Sequence, residues 1–153
     1  MSFYVKASLG VHSQTLSIEE LTQTMGAPDE VRVLGQSSRT PQGPPWPWNS
    51  WYLQEIAEVS PTENPIEAIE VIVDRLFIRL SLWDVEAALL KIRADVETVF
   101  GVYGSINARP GLCLSADQMK KIADLGASLD FEVYDMSESY VPGHGVTEGQ
   151  DVE

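Results

Sequence analysis

Apolar residues recur three and four positions apart from Asn64 to Leu80 (NPIEAIEVIVDRLFIRL). Ile66, Ile69, Val73, Leu76, Phe77 and Leu80 fall on one helical face, widened by Ile72, while Glu67, Glu70, Asp74 and Arg75 fall on the other. The spacing predicts a long amphipathic helix that covers a sheet made by the rest of the chain. Asn64 can cap it, Pro65 suits the first helical position because its missing N–H costs nothing there, and Glu67 has capping-box spacing. Phe3 to His12 shows the other period. Phe3, Val5, Ala7, Leu9 and Val11 alternate with Tyr4, Lys6, Ser8, Gly10 and His12, which predicts a strand covered on one side only.

Ser17 and Glu20 have the spacing of a capping box, so a short helix is expected to about Met25, closed by Gly26 with Pro28 beyond. Glu30–Leu34 and Ser50–Ala57 have strand character. The stretch between them, GQSSRTPQGPPWPWN, holds four prolines and two glycines, which exclude helix and central strand and predict the loop of a long antiparallel hairpin. After Leu80 the helical pattern breaks and restarts. Ser81 and Asp84 are spaced as a cap for a second amphipathic helix, Leu82–Ile92, with Trp83 expected in the core. Thr98–Asn107 is expected as a strand softened by Gly101 and Gly104, and Ser115 with Gln118 starts a helix that Gly126 closes. In the last strand, Leu129–Tyr134, Leu129, Phe131 and Val133 point inward. Asp130 and Glu132 point away from the helices, together with Lys6 if the first and last strands are neighbours.

Two segments share a pattern: strand, Leu16-Ser17, helix, Gly26-Ala27, strand, and again strand, Leu114-Ser115, helix, Gly126-Ala127, strand. As a repeat, each is a strand–helix–strand unit with parallel strands and a right-handed crossover, giving pseudo-twofold ferredoxin-like halves. Good capping chemistry used twice explains the same pattern without a repeat. The expected fold is a single α+β domain over residues 1–135, with a mixed, mostly antiparallel sheet and helices mainly on one face. Residues 136–153 are polar and acidic and are expected to form a flexible tail.

The chain of 153 residues is long enough for one compact core, and no apolar run reaches the length of a membrane span. The N-terminal MSFYVKASLG lacks a basic segment followed by an apolar run, so no signal peptide is expected. A lone Cys113 excludes an internal disulfide and fits a reducing compartment, so the cytoplasm is expected. Ten basic residues against 23 acidic ones give a net charge of −13. Such a surface repels phosphate backbones and would suit a basic protein partner, although the acidity also serves solubility alone.

The alternating first strand, Leu16-Ser17-Ile18-Glu19-Glu20-Leu21, Gly26-Ala27-Pro28-Asp29, the aromatic strand with Trp48, Trp51, Tyr52 and Leu53, and the late segment Pro110–Tyr134 together carry a resemblance. The chain resembles a bacterial domain-of-unknown-function family, number 4279, over roughly residues 3 to 135. Its most specific part is Leu129-Asp130-Phe131-Glu132-Val133-Tyr134. The resemblance implies a small cytoplasmic bacterial domain and no particular reaction or cofactor.

The chain has no P-loop, no G-x-G-x-x-G, and no H-E-x-x-H, and with one cysteine it has no Cys-rich zinc site. No cofactor or metal is expected. A Ser–His–Asp device would need His12, since His144 lies in the tail; an exposed strand-end histidine is the plainer reading. Cys113, in Gly111-Leu112-Cys113-Leu114, reads as a small buried hydrophobe. Trp46, Trp48 and Trp51 cluster within six residues beside rigid prolines. They form either a contact surface or a plug folded back onto the core edge.

Two functions follow. One is a non-enzymatic protein-binding module, conceivably of the immunity type, with Trp46, Trp48, Trp51, Asp130 and Glu132 as its contact surface. The alternative is a small-molecule-binding or enzymatic domain with a pocket between the Pro-Trp loop and the sheet. A structural homodimer stands as a third arrangement.

Overall fold

The computed structural model describes residues 3–37, 42–106 and 114–135. The expected tail, Cys113, His144 and the tip of the Pro-rich loop at residues 38–41 lie outside the described residues. The elements run β1 (Phe3–Ser13), α1 (Ile18–Met25), β2 (Glu30–Arg32), β3 (Asn49–Val59), α2 (Pro65–Ser81), α3 (Val85–Ile92), a 3₁₀ turn (Arg93–Asp95), β4 (Glu97–Ile106), α4 (Ala116–Asp124) and β5 (Ser128–Asp135). The five strands form one sheet in the order β2-β3-β1-β4-β5, antiparallel except for the parallel β4/β5 pair. The fold class is α+β.

β1 is the centre of the sheet and pairs along its length with β3 and β4. Its alternation is realised as the period predicts. Phe3, Val5, Ala7, Leu9 and Val11 are buried. They meet Ile69, Ile72, Val73, Leu76 and Leu80 of α2, which packs across β1 and β3. Each fully buried aliphatic side chain of this kind stabilises by about 1.5–3 kcal/mol, which is why the pattern dictates the fold. Phe77 of α2 stacks on Phe100 of β4 with ring centroids 5.2 Å apart.

Caps fix the helix starts. Ser17/Glu20 and Ser115/Gln118 close full capping boxes. Asn64 caps α2 by accepting from the Ile66 N–H at 3.0 Å, so this cap closes on the second helical residue rather than through Glu67. The expected Ser81/Asp84 box does not form. Ser81 still belongs to α2 and its hydroxyl donates to the Ile78 carbonyl at 2.7 Å. Asp84 takes a left-handed conformation (φ 49°, ψ 51°) that lets the chain turn sharply into α3; Asp tolerates this region better than most residues. Because α3 starts at Val85 and not Leu82, Trp83 falls in the turn. It is 45% exposed instead of buried in the core.

The ferredoxin-like halves are present but divided differently from the Leu-Ser…Gly-Ala pattern. β1 and β2 run the same way with β3 between them, and β3 and β4 run the same way with β1 between them. Those are two interlocked split β-α-β units. The third unit, β4-α4-β5, places its strands side by side, so it is an addition to the sheet edge and not the partner of β1-α1-β2. It follows that β1 and β5 are not neighbours, because β4 lies between them.

Arg79 at the end of α2 ties helix to sheet. It makes two hydrogen bonds to the Asp29 carboxylate (2.8 and 3.2 Å), one to the Gln54 carbonyl (2.9 Å) and one to Glu55 (3.3 Å). Burial disfavours the charged Asp29, yet the Arg79 and Gln54 N–H bonds and the Arg79 charge outweigh it and hold its pKa below 3.8.

Candidate functional site

All the described helices pack on one side of the sheet, and no described element covers the other. That open face carries the even-numbered residues of β1 and their cross-strand partners. Gly10 lies between Tyr52 and Val99, Ser8 between Gln54 and Gly101, and Lys6 between Ile56 and Tyr103. Asp130 and Glu132 of β5 continue the rows beyond Gly101 and Tyr103.

The glycines explain the surface. A Cβ on Gly10 would come within 2.9 Å of both His12 Nε2 and the Tyr52 ring, and a Cβ on Gly101 would collide with the Tyr103 ring. Missing side chains in the strands thus let His12, Tyr52 and Tyr103 lie down on the backbone and pave it.

Two clusters result. In the first, the Arg32 guanidinium stands 4.4 Å from the Trp46 ring and 5.0 Å from the Tyr52 ring. Its Nε is buried without a hydrogen bond, 3.5 Å from Glu30. Cation–π attraction to the two rings offsets that loss. The Tyr52 ring meets His12 edge-on at 5.5 Å, and His12 Nδ1 lies 2.8 Å from the Ser50 hydroxyl. Burial lowers the His12 pKa below 6.5; the nearby Glu97 charge opposes this and the Arg32 charge adds to it. The neutral form of His12 is favoured.

In the second cluster the Tyr103 hydroxyl donates to Asp130 at 3.2 Å, and the Lys6 ammonium stands 5.1 Å from the Tyr103 ring. Burial, then the Asp130 charge, pushes the Tyr103 pKa up to about 12. Lys6, Asp130 and Glu132 do share this face, as expected, but they meet through Tyr103 of the intervening strand.

The three loop tryptophans part company. The hairpin is closed by Gly35 N–H to the Trp46 carbonyl (2.9 Å) and Trp46 N–H to the Gln36 carbonyl (2.9 Å), which folds Trp46 onto Arg32. Trp46 and Trp48 are half-buried. Trp51 belongs to the core: it is fully buried, and its indole N–H donates to the Gly26 carbonyl at 2.9 Å. Strand parity decides this, since Trp51 and Leu53 face the helices while Ser50 and Tyr52 face outward. Trp51 is thereby removed from the expected contact surface. Trp46 packs on Arg32 where the described part of the loop meets the sheet. Arg32, Tyr52 and Tyr103 escaped the sequence reading. Gly10 and Gly101, inside predicted strands, were the signal, because each marks a close approach by a neighbouring ring.

No group of three or more His, Cys, Asp or Glu able to hold a metal occurs among the described residues. Among them, no helix is long and apolar enough to cross a membrane.

The architecture defines a class: an α+β domain of interlocked split β-α-β units, extended at one edge, with one sheet face that no described element covers. The family model "Domain of unknown function (DUF4279)" matches residues 3–136. The chain belongs to this family. No curated protein and no solved structure matches it.

Proposed function

We propose that this domain is a non-enzymatic protein-binding module whose contact surface is the bare face of its sheet. The observation that carries the reading is the paving of that face. Trp46, Arg32, Tyr52 and His12 form one row across β2, β3 and β1, and Tyr103 of β4 stands on the same face with Lys6 and Asp130. Tyr and Trp bring large contact area at small conformational cost, and both they and Arg are enriched at binding hot spots. Tyr4 and Ile56, on the same face, are 46% and 56% exposed. Asp130, Glu132, Glu58 and Glu97 rim the patch, which together with the net charge of −13 suits a basic partner. An immunity-type role, in which the domain neutralises such a partner, is one form of this function. The cytoplasm suits a chain with one cysteine.

The test is affinity capture from host lysate at low and moderate salt, with wild type beside Trp46→Ala/Trp48→Ala. The expected result is a stoichiometric basic protein that is lost at moderate salt and lost in the variant. Equal capture by wild type and variant would remove the tryptophan loop from the interface.

A second reading rests on the 2.8 Å His12–Ser50 contact, with a neutral histidine able to accept a proton. It makes the same face a small-molecule or enzymatic site. Two facts weigh against it. Ser50 is only 5% exposed, and His12 and Ser50 are direct cross-strand partners, for which such a bond is ordinary.

A further inference from the structure

The helical side of the molecule carries a groove of about 960 Å³ between α2, α3 and α4. Its floor is apolar, from Phe77, Ile78, Val85 and Leu125, and Ile78 is 63% exposed. Its rim is acidic, from Asp84, Glu86, Asp117 and Asp124, of which Asp117 and Asp124 pair with Lys121 and Lys120. Ile78 opens this apolar floor to solvent, and an apolar surface rimmed by charged residues has the character of a recognition site.

We infer that this groove docks a cationic amphipathic helix from a partner protein, with apolar residues on the floor and Lys or Arg against the rim. This site is separate from the sheet face and does not depend on the function proposed for it. Such helices lie in grooves through anchors spaced three and four residues apart.

The chain itself shows how a cation sits there. The Lys121 ammonium stands 3.1 Å from Asp117 and 5.5 Å from the Phe77 ring, pairing with a rim carboxylate and a floor aromatic at once. A lysine from a partner would meet the carboxylates of Asp84 and Glu86 on the same rim. The charges also exclude the nearer occupants. Residues 136–153 contain Glu138, Glu148, Asp151 and Glu153 and no lysine or arginine, so this chain's own C-terminal segment is repelled. A second copy brings a net charge of −13 to an acidic rim and is repelled as well.

The test uses the full chain, labelled with ¹⁵N, and three synthetic peptides of about 14 residues, or four helical turns. One is an amphipathic Leu/Lys helix, one has the same composition with the pattern scrambled, and one replaces Lys with Glu. The Leu/Lys helix is expected to shift the amide signals of Ile78, Ser81, Val85 and Leu125 saturably, and the other two are not. Asp84→Asn/Glu86→Gln, at two exposed positions that leave the fold intact, should weaken the binding by about three- to tenfold. Ile78→Ser should weaken it further. Equal effects from the Leu/Lys peptide and its scrambled form would overturn the inference, since only net charge would be felt. So would shifts confined to β1 and β3, or unchanged affinity in both variants. Shifts of the same amides on concentrating the protein alone would assign the groove to a second copy and overturn it too.

Discussion

Along β1, odd-numbered and even-numbered side chains meet different neighbours. The odd set, Phe3 to Val11, is pressed against α2 and has no freedom to change. The even set, Tyr4 to His12, lies among aromatic rings, the half-buried Arg32 and carboxylates, on the face that no described helix covers. Side chains that fold the chain are apolar and replaceable only by similar volumes. On the other face the chain keeps polar and aromatic groups beside the strand glycines. One strand thus separates the core face from the open face by a period of two.

The sharpest way to break that comparison is to cut one tryptophan from each face. Trp51→Ala empties a fully buried site and unpairs the Gly26 carbonyl, so it should cost about 3–5 kcal/mol in chemical denaturation. Trp46→Ala removes a half-buried ring and one cation–π contact, and should cost only about 1 kcal/mol. Comparable losses would mean that the two faces are not divided as described.

Glycines sharpen it further. A Cβ on Gly104 would stand 2.9 Å from the Tyr4 carbonyl oxygen, and backbone cannot step aside, so Gly104→Ala should cost about 1–3 kcal/mol. Gly101→Ala meets only the Tyr103 ring, which can swing outward at about 0.5–1.5 kcal/mol. The swung ring is less buried, so a spectroscopic titration should show the Tyr103 pKa falling from about 12 toward 10.0.

The smallest effect is in pH. His12 binds its proton less readily in the folded chain than in the unfolded one, where the value is near 6.5. Lowering the pH through 6.5 protonates the unfolded chain first and reduces stability, until the folded group protonates as well. The denaturation midpoint should therefore decline below about pH 6.5 in the wild type, and less steeply in His12→Gln.

Much of this was legible in the chain. The faces of β1 followed from its alternation, and the starts of α1 and α4 from Ser17/Glu20 and Ser115/Gln118. What stayed hidden depended on which strands became neighbours. The Arg79–Asp29 pair joins residues fifty positions apart, and no local pattern announces it. The order β2-β3-β1-β4-β5 put Tyr103 between Lys6 and Asp130, where the sequence offered only matching charges. Trp51 and Trp46 lie five residues apart with the same side chain. Only the register of β3 sends one inward while the hairpin folds the other over Arg32. Trp83 was misplaced because Asp84 can adopt a left-handed turn, a property of one residue that the helical period overrides in reading.

The most direct test of the bare face is a cross-saturation footprint of the captured partner on the labelled domain. Saturation is expected at Tyr4, Lys6, Tyr52, Ile56 and Tyr103, with the odd-numbered residues of β1 untouched. A footprint confined to α2, α3 and α4 would contradict it, and would move recognition to the acidic groove on the opposite side.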